Sequence, residues 1–492
     1  MARPHDCSYR TEADGLRTEL VDTQAQLATV QARVDELERA LAAQAKKAIG
    51  RTSERRKFAE DAPAARPKND AAAQEKRAEK RAARSTLPTV AVPHAVPEAE
   101  RTSCTECGAS CFVEVARDVS SEYEWVPGHL VRRVHLRETL RCAACNHFVR
   151  APAPPRVVDN GQYGPGFVAR VIVHKCADCV PLHRQVKALA RDGLHVAPST
   201  LVDLFRRGAE LIEPIYNRMR DLVKMSAWVH ADETSLKMQK VEKLGFIWTF
   251  ATPAVIVYCF SPDRSGETPC EVLGDSEGVL VVDGYTGYNA VTVPGKRVRA
   301  GCNAHARRKF FEAQDGGGDA AKNILGQFAV VFAVEREAAG DDIVGKPRHL
   351  EMRRERSRPA MQWIKDWCDK HADDHAPKSP MGAAVRYFRN QWEALTVFLD
   401  DARISPDNNW SERLLRIIAL GRNNYLFVGH EEGGDNLAML CSIIATCDSH
   451  GVNPAAYLAD IFIRVQAHPA DRIDELLPHR WKQLVAQPAA GP

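Results

Sequence analysis

The stretch "AWVHADETSLKMQKVEKLGFIWTFATPAVIVYCF", residues 227–260, indicates the class of the fold. It contains three apolar runs rich in β-branched and aromatic residues, which are typical of strands: 227–232, 246–252 and 254–260. Only Pro253 separates the last two runs, so they predict a β-hairpin.

Two more apolar runs follow the hairpin, "GVLVVDGY" at 278–285 and "RVRAGC" at 297–302, after a helical pattern at 267–275. Strands that alternate with helices predict a mixed α/β domain. From about 303 to 400 the pattern is helical and charged, and it is helical again from 409 onward. The sequence therefore predicts a sheet domain divided by a helical insertion: first part 225–302, insertion 303–402, second part 403–470.

Acidic residues end two of the predicted strands, Asp232 the first and Asp283 the fourth. If these strands lie side by side, both carboxylates leave the sheet at the same edge and can share divalent cations. Hard oxygen ligands suit Mg²⁺ or Mn²⁺, and two such ions can activate an attacking oxygen and stabilise a leaving one in phosphoryl transfer. The alternative is that each Asp is an ordinary turn residue at the end of a strand.

A third acid, Glu412, lies in "PDNNWSERLLRIIALGRNNYLFVG", residues 406–429, where a helix is predicted to begin. One interpretation is a capping box, in which Asn409 caps the helix and Glu412 reaches back to its amide. The other is that Glu412 supplies the third carboxylate of the cation site. Neighbouring arginines would then bind phosphate groups: Arg413, Arg416 and Arg422.

Cysteine usage indicates metal binding. The chain has fourteen cysteines and no apolar leader at its start, so we expect a cytoplasmic protein with reduced thiols. Its longest apolar run is too short to span a bilayer, and no membrane association is expected. A zinc-binding module at 100–155 is predicted from two Cys-x-x-Cys pairs, with unligated core cysteines as the alternative: Cys104, Cys107, Cys142 and Cys145. A third pair, Cys176 and Cys179, lacks a partner pair and is interpreted as core cysteines.

The first segment, 1–45, has apolar residues at heptad spacing: Leu16, Leu20, Leu27, Val30, Val34, Leu37 and Leu41. This pattern predicts a coiled coil through which the chain associates with itself, and an intramolecular helix is the alternative. Residues 46–99 are interpreted as a basic disordered linker.

A helical region is predicted at 156–224, between the zinc module and the first strand. Within it, 182–207 reads as two helices joined at Gly193, the second opened by Pro198. This arrangement resembles a DNA-binding helix-turn-helix, although pairs of helices are common in proteins that bind no DNA. Residues 471–492 are interpreted as a C-terminal tail.

Several motifs occur in one order along the chain: "IGRTSE" at 49–54, "HADET" at 230–234, "DGYTGY" at 283–288, "GCNAHARRKF" at 301–310, "DNNWSER" at 407–413, "GRNNYLF" at 421–427 and "GVNPAAYLADI" at 451–461. Together they resemble the transposases of the insertion sequence 66 family, in the DDE superfamily. The resemblance covers nearly the whole chain. This sequence departs from the family pattern at Asn303, where Trp is common, and at Asn423, where Lys is common.

The resemblance implies a ribonuclease H-like catalytic core. It also implies that Asp232, Asp283 and Glu412 are the catalytic acids and the ligands of Mg²⁺. Cys302 and His305 resemble a Cys-x-x-His signature, interpreted as structural because two ligands cannot close a zinc site, with metal binding and DNA contact as the alternatives. A basic run after this signature is a further candidate for DNA contact: Arg307, Arg308 and Lys309.

The function implied is that of a DNA transposase of a bacterial insertion sequence. It would bind terminal inverted repeats as a homo-oligomer, with or without accessory proteins of the same element, and use Mg²⁺ to cut DNA and join the ends to target DNA. Two alternatives remain. One is a zinc-finger and helix-turn-helix regulator with an inactive transposase-like domain, and the other is a metal-dependent nuclease that does not join strands.

Overall fold

The structure is a computed structural model that describes residues 155–159, 161–239 and 244–486, together with Thr23, Leu130 and two short strands. These strands pair antiparallel: β1 (Thr139–Arg141) and β2 (Phe148–Arg150). The predicted linker, the four predicted zinc ligands and, except for Thr23, the predicted coiled coil lie outside the described residues. None of the helices described is both long and apolar enough to cross a membrane.

In the described part of the chain, three helices lie before the main sheet: α1 (Pro165–Cys176), α2 (Leu182–Arg191) and α3 (Pro198–Met225). The two helices predicted within 182–207 are present, and Gly193 between them has φ of 85°, a left-handed conformation that favours glycine. Along α3 an apolar face continues to Val223 and packs in the main hydrophobic core. Tyr216 Oη of this helix donates to Tyr258 O at 2.8 Å. The helix therefore supports the sheet, and DNA binding by this pair remains a prediction.

The main sheet has five strands: β3 (Trp228–Lys237), β4 (Leu244–Ala251), β5 (Ile256–Ser261), β6 (Gly278–Val282) and β7 (Arg297–Gly301). Their order is β5-β4-β3-β6-β7. The first three strands along the chain pair antiparallel, which confirms the predicted hairpin. Strands β6 and β7 add in parallel, after helix α4 (Glu267–Leu273). The mixed α/β class is therefore confirmed, and β3 and β6 lie side by side as predicted.

The first strand is longer than the sequence predicted. The prediction ended it at Asp232, whereas β3 continues to Lys237 because β4 pairs with it all the way to Leu244. Pairing with β6 stops earlier, where His230 lies opposite Val281. Asp232 therefore lies just beyond the parallel pairing, and its carboxylate is still at the edge of the sheet where β6 ends.

The predicted helical insertion is present between β7 and the last part of the sheet domain. Its elements are α5 (Asn303–Glu312), α6 (Gln314–Gly340), α7 (Pro347–Met352), a π-helical turn (Arg353–Ser357), α8 (Arg358–Lys370), α9 (Pro380–Asn390) and α10 (Trp392–Thr396). Three rings meet in its core, with centroids 6.1 to 6.2 Å apart: Phe310, Phe328 and Phe388. The same core includes Val281 of β6 and Ala300 of β7, so the insertion packs against that side of the sheet.

Five helices follow the insertion: α11 (Asn409–Leu414), α12 (Arg416–Tyr425), α13 (Glu431–Ser449), α14 (Pro454–Arg464) and α15 (Pro478–Ala486). Helix α13 covers the edge strand β5. Ser442 Oγ accepts the N–H of Tyr258 at 2.8 Å, and Thr446 Oγ1 accepts the N–H of Ile256 at 3.0 Å. These bonds occupy backbone donors that an uncovered edge strand would present to other chains.

Candidate active site

Three acidic residues from separate elements lie in one region, at the end of β6. Asp232 lies on β3, Asp283 directly follows β6, and Glu412 lies in the first turn of α11. The charges of Asp283 and Glu412 both raise the pKa of Asp232, so all three acids are within electrostatic range. The structure thus brings together the three acids that the sequence singled out.

The environment of Asp232 disfavours its charged form. Burial is the largest cause and, with the charge of Glu233, raises the pKa of Asp232 from its ordinary 3.8 to about 7. The charges of Asp283 and Glu412 add to this increase, whereas a 2.9 Å bond from the N–H of Glu233 to Asp232 Oδ1 opposes it. A divalent cation would relieve the repulsion among the three carboxylates. Their oxygens are the ligands that Mg²⁺ or Mn²⁺ prefers, so the residues present fit such an ion.

A second network holds the loop that carries Asp283. The side chain of Glu233, only 2% exposed, accepts hydrogen bonds from Arg264 Nε at 2.9 Å and from Tyr288 Oη at 2.7 Å. The Arg264 guanidinium lies 4.0 Å from the ring centre of Tyr285, whose N–H donates to Asp283 Oδ1 at 2.9 Å. Glu233 therefore connects β3 to this loop. Arg264 was not predicted from the sequence, because no motif marks an arginine whose partner, here Glu233, lies on another strand.

The start of α11 has a different cap from the one that the capping-box interpretation requires. Asn408, not Asn409, is the N-cap residue. The N–H of Asn409 donates to Asp407 Oδ1 at 3.0 Å, and Asn409 Nδ2 donates to Asp407 Oδ2 at 2.7 Å. The capping box is therefore wrong, because the amide that Glu412 would bind is bound to Asp407. The Glu412 carboxylate, 39% exposed, lies instead 3.8 Å from His305 Nε2.

Asn408 links the start of α11 to β3 and to Cys302, which directly follows β7. It is 1% exposed, and its Nδ2 donates to Ala231 O at 2.7 Å. Its Oδ1 lies 3.2 Å from Nδ1 of His230, whose pKa burial lowers to about 4. Neutral His230 can therefore donate from Nδ1 to Asn408 Oδ1. The backbone N–H of Asn408 donates to Cys302 Sγ at 3.3 Å. These bonds fix the helix of the third acid onto the strand of the first.

Asn303, one of the residues that depart from the family pattern, is fully buried at the start of α5. Its N–H donates to Pro406 O at 2.9 Å, and its Nδ2 donates to Leu395 O at 3.0 Å and to Pro406 O at 3.1 Å. The side-chain amide of Asn303 thus links Leu395, near the end of the insertion, to Pro406, just before α11. We assign Asn303 a structural role.

Cys302 and His305 lie at the same junction, one on each side of Asn303 and Ala304. Cys302 is fully buried, and burial raises the pKa of its thiol to about 12. One potential ligand atom from each of Cys302, His305 and Glu412 lies within 4.8 Å of the other two. The structure therefore adds a third donor to the pair that the sequence had identified.

The six predicted DNA contacts have different environments. Three of them are exposed: Arg308, Arg413 and Arg416. Arg307 is partly buried, and Lys309 Nζ lies 4.7 Å from the ring centre of Tyr387. Arg422 Nη1 donates to Ser235 O at 2.7 Å and so holds α12 against the extended part of β3. Contact with DNA remains a prediction for all six.

Comparison with known proteins agrees with this arrangement. Residues 160–436 match the family model described as Transposase IS66 family, and residues 442–479 match the model described as IS66 C-terminal element. The sheet domain and its acids therefore lie in a transposase domain. The chain belongs to the IS66 family of transposases, and membership implies that DNA is its partner.

The alignment with each of two curated relatives covers most of this chain and most of the relative. The uncharacterized protein y4hP of Sinorhizobium fredii is 31% identical over 414 residues, which are 78% of this chain and 74% of the relative. The uncharacterized protein y4jD of the same organism is 30% identical over 408 residues, which are 78% of this chain and 79% of the relative.

Proposed function

We propose that this protein is a DNA transposase that binds the terminal inverted repeats of a bacterial insertion sequence and catalyses Mg²⁺-dependent strand cleavage and strand transfer. The observation that carries the proposal is that Asp283 and Glu412 lie within electrostatic range of Asp232 at the end of β6, in a chain of the IS66 family. A regulator with an inactive domain would have no need to keep this costly group of carboxylates together.

A ribonuclease H-like catalytic core is part of the proposal. The order β5-β4-β3-β6-β7, with three antiparallel strands followed by two parallel additions, supports it. Asp232 and Asp283 then belong to the first and fourth strands of the core, which are neighbours. The helical insertion separates them along the chain from Glu412.

In the proposed mechanism the three carboxylates hold Mg²⁺ or Mn²⁺, which when bound supplies positive charge at the reacting phosphate. Arg413 and Arg416, exposed on the helices next to Glu412, bind and orient backbone phosphates. Asn408 keeps the start of α11 on β3, and the Glu233 network keeps the Asp283 loop in place. The chain thus contributes positioning and charge.

The remaining parts of the proposal rest on the sequence. They are a coiled coil at 1–45 for self-association, a Zn²⁺-binding module at 100–155, and DNA contacts from the helical region at 156–224. The zinc ligands proposed are Cys104, Cys107, Cys142 and Cys145.

Substitution of the acids tests the proposal. Asp232→Asn, Asp283→Asn and Glu412→Gln each keep the side-chain shape but remove a negative ligand. We expect each to lower cleavage of a labelled terminal repeat in Mg²⁺ by roughly two orders of magnitude or more, with repeat binding and the thermal melt preserved. Glu432→Gln is the matched control, because Glu432 is an exposed acid in the first turn of α13.

Three outcomes would contradict the proposal. Near-normal cleavage by Glu412→Gln would remove Glu412 from the site. Binding of the repeat without cleavage by the unchanged protein would favour the regulator, and cleavage without strand joining would favour the nuclease.

A further inference from the structure

We propose that Cys302, His305 and Glu412 form a second metal site, which binds a borderline-soft divalent ion such as Zn²⁺ and inhibits the enzyme by engaging Glu412. The existence of the site is independent of the proposed function, whereas the inhibition rests on it. The Cys-x-x-His pair alone is too small a donor set, and the third donor comes from a helix that the insertion separates from it along the chain.

The distances suit a single ion. His305 Nε2 lies 3.8 Å from Glu412 Oε1, and ligand atoms of all three residues lie within 4.8 Å of one another. Zinc bonds of about 2.0 to 2.3 Å in a tetrahedron place ligand atoms roughly 3.3 to 3.8 Å apart. The most distant ligand atoms of the cluster therefore need to approach by at most about 1.5 Å. Three protein ligands leave the fourth position to water, as in open zinc sites.

The donor types select the ion. Thiolate and imidazole favour Zn²⁺ over Mg²⁺, which prefers a set of oxygen ligands. The N–H of Asn408 donates to Cys302 Sγ at 3.3 Å, so the sulfur lies against the start of the helix that carries Glu412. Among the described residues, no other group of three or more His, Cys, Asp or Glu has ligand atoms that all lie within 4.8 Å of one another; Asp232, Asp283 and Glu412 are farther apart than that.

Two of the donors are available to a cation and can be reached from solvent. Of the two ring nitrogens of His305, Nε2 lies 3.8 Å from Glu412 Oε1, and the buried Nδ1 has no hydrogen-bond partner in the described part of the chain. The amide that Glu412 would bind in a capping box is bound to Asp407. His305 is 34% exposed and Glu412 39% exposed, so an ion can enter from their side and reach the buried sulfur of Cys302.

The consequence for catalysis follows from the shared ligand. With Glu412 bound to Zn²⁺ beside Cys302 and His305, the zinc neutralises its charge, and Glu412 becomes a weaker ligand for the Mg²⁺ site that it would complete with the two aspartates. Zinc at this position therefore lowers Mg²⁺-dependent cleavage without displacing DNA.

Cobalt provides a direct probe. The full-length protein is first dialysed against a mild chelator, which empties the second site and leaves the tightly held zinc of the predicted four-cysteine module in place. Co²⁺ is then added without oxygen, and the near-ultraviolet absorption of sulfur-to-cobalt charge transfer is recorded. We expect this absorption for the unchanged protein and for Cys368→Ser, a matched control at a buried cysteine of the insertion core. We expect Cys302→Ser to lack it. Equal absorption for Cys302→Ser and the unchanged protein would overturn the proposal.

Inhibition gives the second readout. With Mg²⁺ in excess, we expect the Zn²⁺ concentration for half-inhibition of cleavage to rise at least about tenfold in Cys302→Ser. If Cys302→Ser fails to fold, His305→Gln replaces it, with Co²⁺ binding expected to weaken at least about tenfold. Cobalt absorption that depends on Cys302, in a protein that cleaves nothing, would refute the proposed function and leave the site standing. If the protein cleaves DNA but neither Cys302→Ser nor His305→Gln changes its cobalt absorption, the proposed site is refuted and the proposed function is not.

Discussion

Asn408 shows what single residues contribute beyond the acids. Its hydrogen bond to Ala231 O spans 177 residues of chain, and its backbone N–H binds Cys302 in a third segment. The acids could be predicted because carboxylates at strand ends form a recognisable pattern. The role of Asn408 could not, because its main partner is a backbone carbonyl, which every residue has. For the same reason the sequence predicted Asn409 as the N-cap residue, whereas the cap is Asn408.

Replacing Asn408 should affect catalysis more than DNA binding. Asn408→Ala leaves Ala231 O and His230 without their partner, which costs about 1 to 3 kcal/mol of unfolding free energy. We expect kcat for cleavage to fall while the affinity for the repeat end is kept, because α11 loses its fixed position on β3.

Asn453→Ala is the control for this prediction. Asn453 caps α14 through the N–H groups of Ala455 and Ala456, so its loss costs about 1 kcal/mol away from the acids. Asn408→Asp keeps the acceptor for His230 and should retain more activity than Asn408→Ala. If Asn408→Ala and Asn453→Ala lower kcat equally, Asn408 has only a general structural role.

The raised pKa of Asp232 makes metal binding depend on pH. The folded value of about 7 exceeds the ordinary 3.8, so the metal-free fold is favoured by protonation of this group. That contribution is complete below about pH 4 and is lost as the pH rises through 7. Mg²⁺ needs the carboxylate, so its stabilising effect should change in the opposite direction.

Thermal melts with Mg²⁺ and with a chelator test this dependence. We expect the increase in Tm caused by Mg²⁺ to be larger at about pH 8 than at about pH 6. In Asp232→Asn this difference between the two pH values should shrink. A Mg²⁺ effect that is independent of pH in the unchanged protein would contradict the assignment of Asp232.

Among the elements, the strands were easier to predict than their ends. Apolar runs indicated all five strands of the main sheet, because each has a buried face. The predicted end of β3 at Asp232 was wrong, because pairing with β4, and not the strand's own residues, extends the strand to Lys237. Charged residues at 303–400 indicated helices, but not the way in which they are held together.

One buried ion pair holds the insertion. Arg353, 1% exposed on the π-helical turn, donates from Nε and Nη2 to the two carboxylate oxygens of Glu335 at 2.8 and 2.7 Å. Its Nη1 donates to Phe398 O at 2.6 Å. Arg353→Met should lower the unfolding free energy of the insertion by roughly 3 kcal/mol, because the largely buried Glu335 then keeps, among the described residues, only His349, whose Nε2 lies 3.2 Å from Glu335 Oε2, as a neighbour.

The measurement is denaturant unfolding followed by tryptophan fluorescence, since Trp363, Trp367 and Trp392 all lie in the insertion. Arg356→Met is the matched control, because its partner Glu337 lies with it at the surface. We expect a clearly smaller loss there. Equal losses for the two substitutions would show that Arg353 does not hold the insertion.

In the molecule as a whole, the described residues form two hydrophobic cores on different parts of the sheet. One contains α1, α3, β4, β5 and α13, and the other contains the insertion together with Val281 and Ala300. Composition and alternation predicted the α/β domain and its division. The pairing order of the strands could not be read from the sequence, because it depends on contacts between distant segments.

Self-association is a prediction for the whole molecule that rests on residues outside the described part. Replacement of Val30 and Leu37 by Asp puts charges into the predicted heptad seam, which should split the oligomer. Sedimentation should then give a lower mass for the double variant. The matched control replaces Gln31 and Glu38, the next residues along the chain and outside the seam, by Asp and should keep the mass. An unchanged mass for the seam variant would assign association to another segment.

The insertion also controls when the group of acids is completed during synthesis. Asp232 and Asp283 are translated before helices α5 to α10, and Glu412 is translated after these helices. At roughly 5 to 20 residues per second this delay is on the order of ten seconds. A ribosome that stalls within the insertion releases a chain with two of the three acids and without α13 over the edge of β5. Truncated products of the gene should therefore be inert toward DNA and prone to aggregate.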